Sequence, residues 1–126
     1  MPHLRIEYTA NLDGRAAIGE LCQALGAAMA ALVEEGQPVF PLGGTRVLAY
    51  PAPWHSVANG APENAFVYLN LRITPGRSAA TVQMAGQALL AVVRAHFDRA
   101  ALGTPVGITL HIDEVQASYE GRYRPA

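Results

Sequence analysis

The chain has 126 residues, room for one domain built on one hydrophobic core. At 51% hydrophobic and 15% charged residues it is too apolar for a disordered segment. Its 9 basic and 10 acidic residues give a formal net charge of -1, which argues against the clustered excess basic charge of a nucleic-acid binder.

Every basic residue is Arg, the side chain suited to fixed, bidentate recognition of carboxylates. Cys22 is the one cysteine, so neither an intrachain disulfide nor a cysteine-based metal site can form, and a reducing, cytoplasmic setting is expected. The N-terminus lacks the basic and apolar regions of a signal peptide, and no apolar run reaches the length of a membrane span.

In chain order, Leu4, Ile6 and Tyr8 alternate with His3, Arg5 and Glu7, which predicts a short half-buried strand. Asn11-Leu12-Asp13-Gly14 turns the chain, with Asn11 or Asp13 as cap for a first helix. Ile18, Leu21, Cys22, Leu25, Met29, Leu32 and Val33 form its apolar stripe, and Gly36 and Pro38 stop it. Val39 to Tyr50 reads as extended, interrupted at Pro41 and Gly43-Gly44, and 51–62 reads as a loop.

The clearest strand follows, with Ala65, Val67, Leu69, Leu71 and Ile73 on one face and Phe66, Tyr68, Asn70 and Arg72 on the other. Pro75-Gly76 turns it, and Ser78 caps a second helix whose stripe is Val82, Ala85, Leu89, Val92, Val93, His96 and Phe97. Gly103 and Pro105 end that helix. Val106, Ile108, Leu110 and Ile112 then alternate with polar residues as a last strand, and a polar, extended tail from Gln116 is expected to reach toward a neighbour.

The order strand, helix, strand occurs twice. Gln23-Ala24-Leu25 recurs as Gln87-Ala88-Leu89, 64 residues later, and at that offset Ile18 meets Val82 and Val33 meets Phe97. The expectation is an α/β (α+β) fold of one domain over 1–126, with pseudo-repeat halves at about 2–50 and 65–115. Parallel pairing within each right-handed β-α-β unit gives a four-stranded sheet with both helices on one face. The second sheet face, too aromatic for plain solvent, is expected to be covered in a symmetric oligomer.

Pro2 is the first chemical candidate. Methionine aminopeptidases remove Met1 before a small residue, which leaves a secondary amine at the chain start. Burial and nearby cations lower an amine's pKa, so that such a group serves as a base near neutral pH. Many chains begin Met-Pro without consequence. Taken alone, Arg46 reads as a solvated strand-end charge and Arg77 as an exposed residue of a helix's first turn. A cation there opposes the macrodipole, which mildly disfavours Arg77 as a stability device. His3, His55, His96 and His111 lack metal-ligand spacing, and His96, on a helical stripe, reads as a satisfied core or interface residue. Tyr50 and Trp54 are candidates for a pocket wall or an oligomer contact. Gly43-Gly44 has no partnering Lys for phosphate binding, and Glu7, Asp113 and Glu114 read as solvated charges.

Met1-Pro2-His3 entering a strand, Phe40-Pro41-Leu42-Gly43-Gly44-Thr45-Arg46, Ala65-Phe66-Val67 and Pro75-Gly76-Arg77-Ser78 before a long helix form an ordered set. Together they resemble the 5-carboxymethyl-2-hydroxymuconate isomerases of the tautomerase superfamily, from Pro2 to about Glu114. The resemblance implies a homotrimer, no cofactor, no metal, and a small polycarboxylate dienol as substrate. It also implies Pro2 as catalytic base, with Arg46 and Arg77 as catalytic and substrate-binding arginines. The sequence departs from the family pattern by a longer 34–39 stretch and a dissimilar 51–63 loop that keeps Trp54. Two other readings stand beside this one. One is a different tautomerase-superfamily reaction (hydration, dehalogenation or decarboxylation of an unsaturated acid). The other is a non-catalytic trimeric module that binds a small acid.

Overall fold

The computed structural model describes residues 2–125 and forms one four-stranded sheet with two helices on one side. The main elements are β1 (His3–Thr9), α1 (Ile18–Ala31), β2 (Val33–Glu34), β3 (Gln37–Pro38), β4 (Arg46–Ala52), β5 (Ala65–Ile73), α2 (Ala79–Ala100) and β6 (Val106–Glu114). The sheet order is β4-β1-β5-β6. β1 pairs with β4, and β5 with β6, in parallel; the two pairs join through antiparallel β1 and β5. Each parallel pair is bridged by a helix, as a β-α-β connection requires.

The period-2 pattern dictates which residues turn inward. Leu4, Ile6, Val67, Leu69 and Leu71 are fully buried beneath the helices, where they meet Leu21, Leu25, Met29, Leu89 and Val93. Removing such side chains from water contributes about 1.5–3 kcal/mol each. The other sheet face carries Arg5, Tyr50, Phe66, Tyr68 and His111, all partly or largely exposed. On it the Arg5 guanidinium lies 5.4 Å from the Tyr50 ring centre, and Tyr68 Oη bonds His111 Nδ1 at 2.8 Å.

Four local expectations need correction. The caps proposed for α1 work elsewhere: Asn11 Nδ2 donates to Asn64 O at 2.8 Å, and Asp13 accepts from Tyr8 Oη at 2.7 Å. The helix instead begins after Ala17 in a left-handed conformation with no side-chain cap. It ends at Ala31, before Gly36. Val33–Glu34 and Gln37–Pro38 form a hairpin whose two central residues, Glu35 and Gly36, both have positive φ, 52° and 76°. That is the geometry a two-residue hairpin loop favours. The extended segment therefore starts later, at Arg46, and runs on to Ala52. At the end of α2 the cap is Ala101, left-handed at φ 47°, two positions before Gly103, which is itself at φ 76°.

Two other expectations hold locally. Ser78 Oγ accepts the Thr81 N–H at 3.2 Å and caps α2. His96 is a satisfied core residue, 5% exposed, whose Nε2–H donates to Ala16 O at 2.6 Å. Among the described residues, no helix is long and apolar enough to cross a membrane.

Candidate active site at the Pro2 end of the sheet

Pro2 immediately precedes β1, where a residue without an N–H costs no ladder bond. It is buried and continues the inward row of Leu4, Ile6 and Tyr8. Its carbonyl accepts the Arg46 N–H at 3.2 Å, which extends the β1–β4 ladder past the His3–Arg46 pair. Met1, whose removal would free the Pro2 nitrogen, lies outside the described residues.

Arg46 opens β4 directly after a short 3-10 turn, Leu42–Gly44. Its Nη1 donates to Gly44 O at 3.2 Å, so the glycine-containing turn orients the guanidinium as well as delivering the strand. Register places His3 between Arg46 and Arg72 on adjacent strands. One row across the open face thus reads Arg46, His3, Arg72 and Asp113.

Arg77 is not the exposed helix-end cation that its sequence position suggests. Nε and Nη2 both donate to Val39 O at 3.2 Å, and Nη1 donates to Thr74 O at 3.2 Å. Its guanidinium carbon stands 5.1 Å from the centre of the buried Phe40 ring. Arg77 therefore braces the chain that leads through Pro41 to Arg46. Two guanidinium N–H groups remain for another acceptor.

The two arginines lie at the same end of the sheet, since Arg46 pairs with His3 and Arg77 follows the end of β5 that pairs with it, but on different sides. Arg77 packs on Phe40, on the helix side of the sheet, whereas Arg46 projects with His3 on the open face. The tail runs back past this end of its own chain. After Val115 N–H donates to Ile73 O at 2.9 Å, Tyr119 and Glu120 line a cavity of about 520 Å³ with His3 and Arg72. Glu120, Arg122 and Arg124 line a second, of about 930 Å³, with His3, Gly44 and Arg46.

Sequence reasoning missed His3 and these tail residues as parts of the Pro2 end. The available signal for the tail was its Arg122-Tyr123-Arg124 run. Tyr50, paired with Glu7, stands about 13 Å along β4 from Arg46, and the chain leaves that strand toward Trp54 at the Thr9 end, away from Pro2. Trp54 is 93% exposed. Cys22, expected in the core, is half-buried, and burial raises its thiol pKa. Among the described residues, no three His, Cys, Asp or Glu side chains gather as a metal site would require.

The chain matches the model of the 5-carboxymethyl-2-hydroxymuconate isomerase family over residues 2–124. It is 27% identical to the 5-carboxymethyl-2-hydroxymuconate Delta-isomerase of Escherichia coli, over 91% of this chain and 87% of that one. A crystal structure of a 5-carboxymethyl-2-hydroxymuconate delta-isomerase superposes with a TM-score of 0.91 at 37% identity, covering 98% of this chain and 89% of that one. The 5-carboxymethyl-2-hydroxymuconate isomerase of Deinococcus radiodurans R1 gives 0.84 at 33% identity, over 98% and 90% of the two chains. A fused 4-OT symmetric trimer, 20% identical with a TM-score of 0.60, shares the fold over 89% of this chain and 85% of its own. With its family matched over nearly its whole length, the chain belongs to the 5-carboxymethyl-2-hydroxymuconate isomerases.

Proposed function

We propose that this protein is a cofactor-free isomerase that ketonises 2-hydroxydienoates of the 5-carboxymethyl-2-hydroxymuconate kind, with Pro2 as the proton carrier. The Pro2 nitrogen takes the proton of the 2-hydroxyl. The electron pair moves through the diene, and the same proton is delivered to carbon 5. An O–H bond and a C=C bond are exchanged for a C–H bond and a C=O bond, with no net redox change. One group that accepts and then donates is sufficient.

The observation that supports this reading best is the burial of Pro2 against a strand whose first residue is Arg46. A buried amine beside guanidinium groups is disfavoured in its charged form, which makes it a base at neutral pH. Arg46 supplies positive charge for the dienolate as it develops. Arg77, with two N–H groups to spare, anchors a carboxylate from the helix side.

We further propose a homotrimer with the open sheet faces turned inward, so that the aromatic and charged residues of that face meet their counterparts. Two proteins of the same fold with trimer in their names support the trimer. The single Cys22 fits a cytoplasmic setting.

The test is an ultraviolet assay of ketonisation on a panel of 2-hydroxymuconate-type dienols, with mass spectrometry establishing Met1 removal. Loss of dienol absorbance well above the uncatalysed rate is expected. A rate equal to buffer, with Pro2 shown to be N-terminal, would remove the assignment.

A further inference from the structure

We propose that Arg122 and Arg124, on the C-terminal segment, determine specificity for a substrate with an additional carboxylate. They would hold it in the cavity of about 930 Å³ that also presents Arg46. This rests on the polycarboxylate dienol proposed above. A molecule of the 5-carboxymethyl-2-hydroxymuconate kind carries three carboxylates, one more than Arg46 and Arg77 can each grip alone.

The charge distribution carries the inference. The chain as a whole has a formal net charge of -1, yet three of its 9 basic residues line this one cavity, against the single acid Glu120. The neighbouring cavity shares His3 and Glu120 with it and adds Arg72. A concave surface with such an excess focuses potential on anions. The Pro2 end is adjacent, because His3 follows Pro2 and the Arg46 N–H is bonded to the Pro2 carbonyl at 3.2 Å.

The segment also displays how a carboxylate is received. Arg122 Nε donates to Glu120 Oε2 at 3.1 Å, in an exposed pair that solvent screens. A substrate carboxylate competes with Glu120 for that guanidinium and gains Arg124 beside it, for which no ion pair is seen among the described residues.

The experiment uses the full chain with Met1 removed, the double variants R122A/R124A and R122K/R124K, and two unreactive probes. The probes are benzene-1,3,5-tricarboxylate and benzene-1,3-dicarboxylate, titrated calorimetrically. The wild type is expected to favour the tricarboxylate. R122A/R124A should lose about 10-fold in tricarboxylate affinity and under about 2-fold for the dicarboxylate. R122K/R124K, which keeps the charge, should retain most of the preference. In the ultraviolet assay the alanine pair should raise KM for the three-carboxylate dienol and leave kcat within about 2-fold.

Equal losses for both probes, or none for either, would overturn the proposal. So would a loss that Lys does not restore, accompanied by dissociation in light scattering, because it would make the segment a packing element. A wild type that ketonises nothing yet shows the charge-dependent tricarboxylate preference would instead overturn the proposed reaction and leave this anion site standing.

Discussion

Arg46 is fastened to Pro2 through the backbone, its N–H donating to the Pro2 carbonyl at 3.2 Å. The bond makes the position of the arginine independent of its own side chain, so Arg46→Ala should leave the strand in place. The expected loss is in kcat, because the role proposed for the guanidinium is on charge that develops during the reaction. Steady-state kinetics and an unchanged circular dichroism spectrum are the check; an effect confined to KM would move Arg46 to uniform binding.

The same bond uses only the carbonyl of residue 2. Pro2→Ala therefore keeps the fold and exchanges a secondary amine for a primary one. A fall in kcat of roughly 10²–10⁴, the range for a lost general base, is expected. Comparison of kcat with the thermal unfolding midpoint separates this from a folding defect.

Arg77 should combine two effects. Its three donors to Val39 and Thr74 carbonyls are lost in Arg77→Ala, at about 1–3 kcal/mol of stability. A rise in KM is expected with it. Arg77→Lys keeps a charge but cannot reproduce the planar fork, so it should recover little of the stability. Urea unfolding of the two variants tests this; wild-type stability in both would mean that the bracing is of no consequence.

Tyr8 gives a pH-dependent test of the core. Burial, and then the Asp13 carboxylate accepting its hydroxyl, push its pKa up to about 12. The folded value lies above the unfolded one of about 10, so folding favours the protonated form. The contribution is complete below pH 10 and is lost as the pH rises through 12. Tyr8→Phe should cost about 1–2 kcal/mol at neutral pH and flatten the alkaline decline in stability. Denaturant midpoints at pH 7 and pH 11 suffice; parallel alkaline declines would contradict the assignment.

His96 ties α2 to the turn before α1. His96→Leu leaves the Ala16 carbonyl without its buried donor and should destabilise by about 1–3 kcal/mol, with kcat unaffected. Unfolding and activity measured on the same preparation decide it.

The strands and both helices were legible because their apolar periods are long and uninterrupted: Ala65 to Ile73 alternates without a break, and Leu21, Leu25 and Met29 share one helix face. The hairpin at 33–38 was not legible, since its turn places Glu35, a residue with no preference for positive φ, in the left-handed region. Asn11 and Asp13 misled as caps because their side chains serve the 62–64 backbone and Tyr8, partners far off or on another element. Pro2, Arg46 and Arg77 were singled out as candidates through motif order. Their arrangement at the sheet end, and the tail beside His3, depend on tertiary contacts that no local pattern encodes.

The central claim is that a free Pro2 amine carries the proton. Its most direct measurement compares kcat for dienol ketonisation between protein shown by mass spectrometry to begin at Pro2 and protein that retains Met1, at equal concentration. Retention moves the amine to a different residue and turns the Pro2 nitrogen into an amide without basicity. Activity should fall by at least 10²-fold, the lower bound for a lost general base, and enzymatic removal of Met1 should restore it. Equal activity in the blocked and free forms would contradict the role of Pro2.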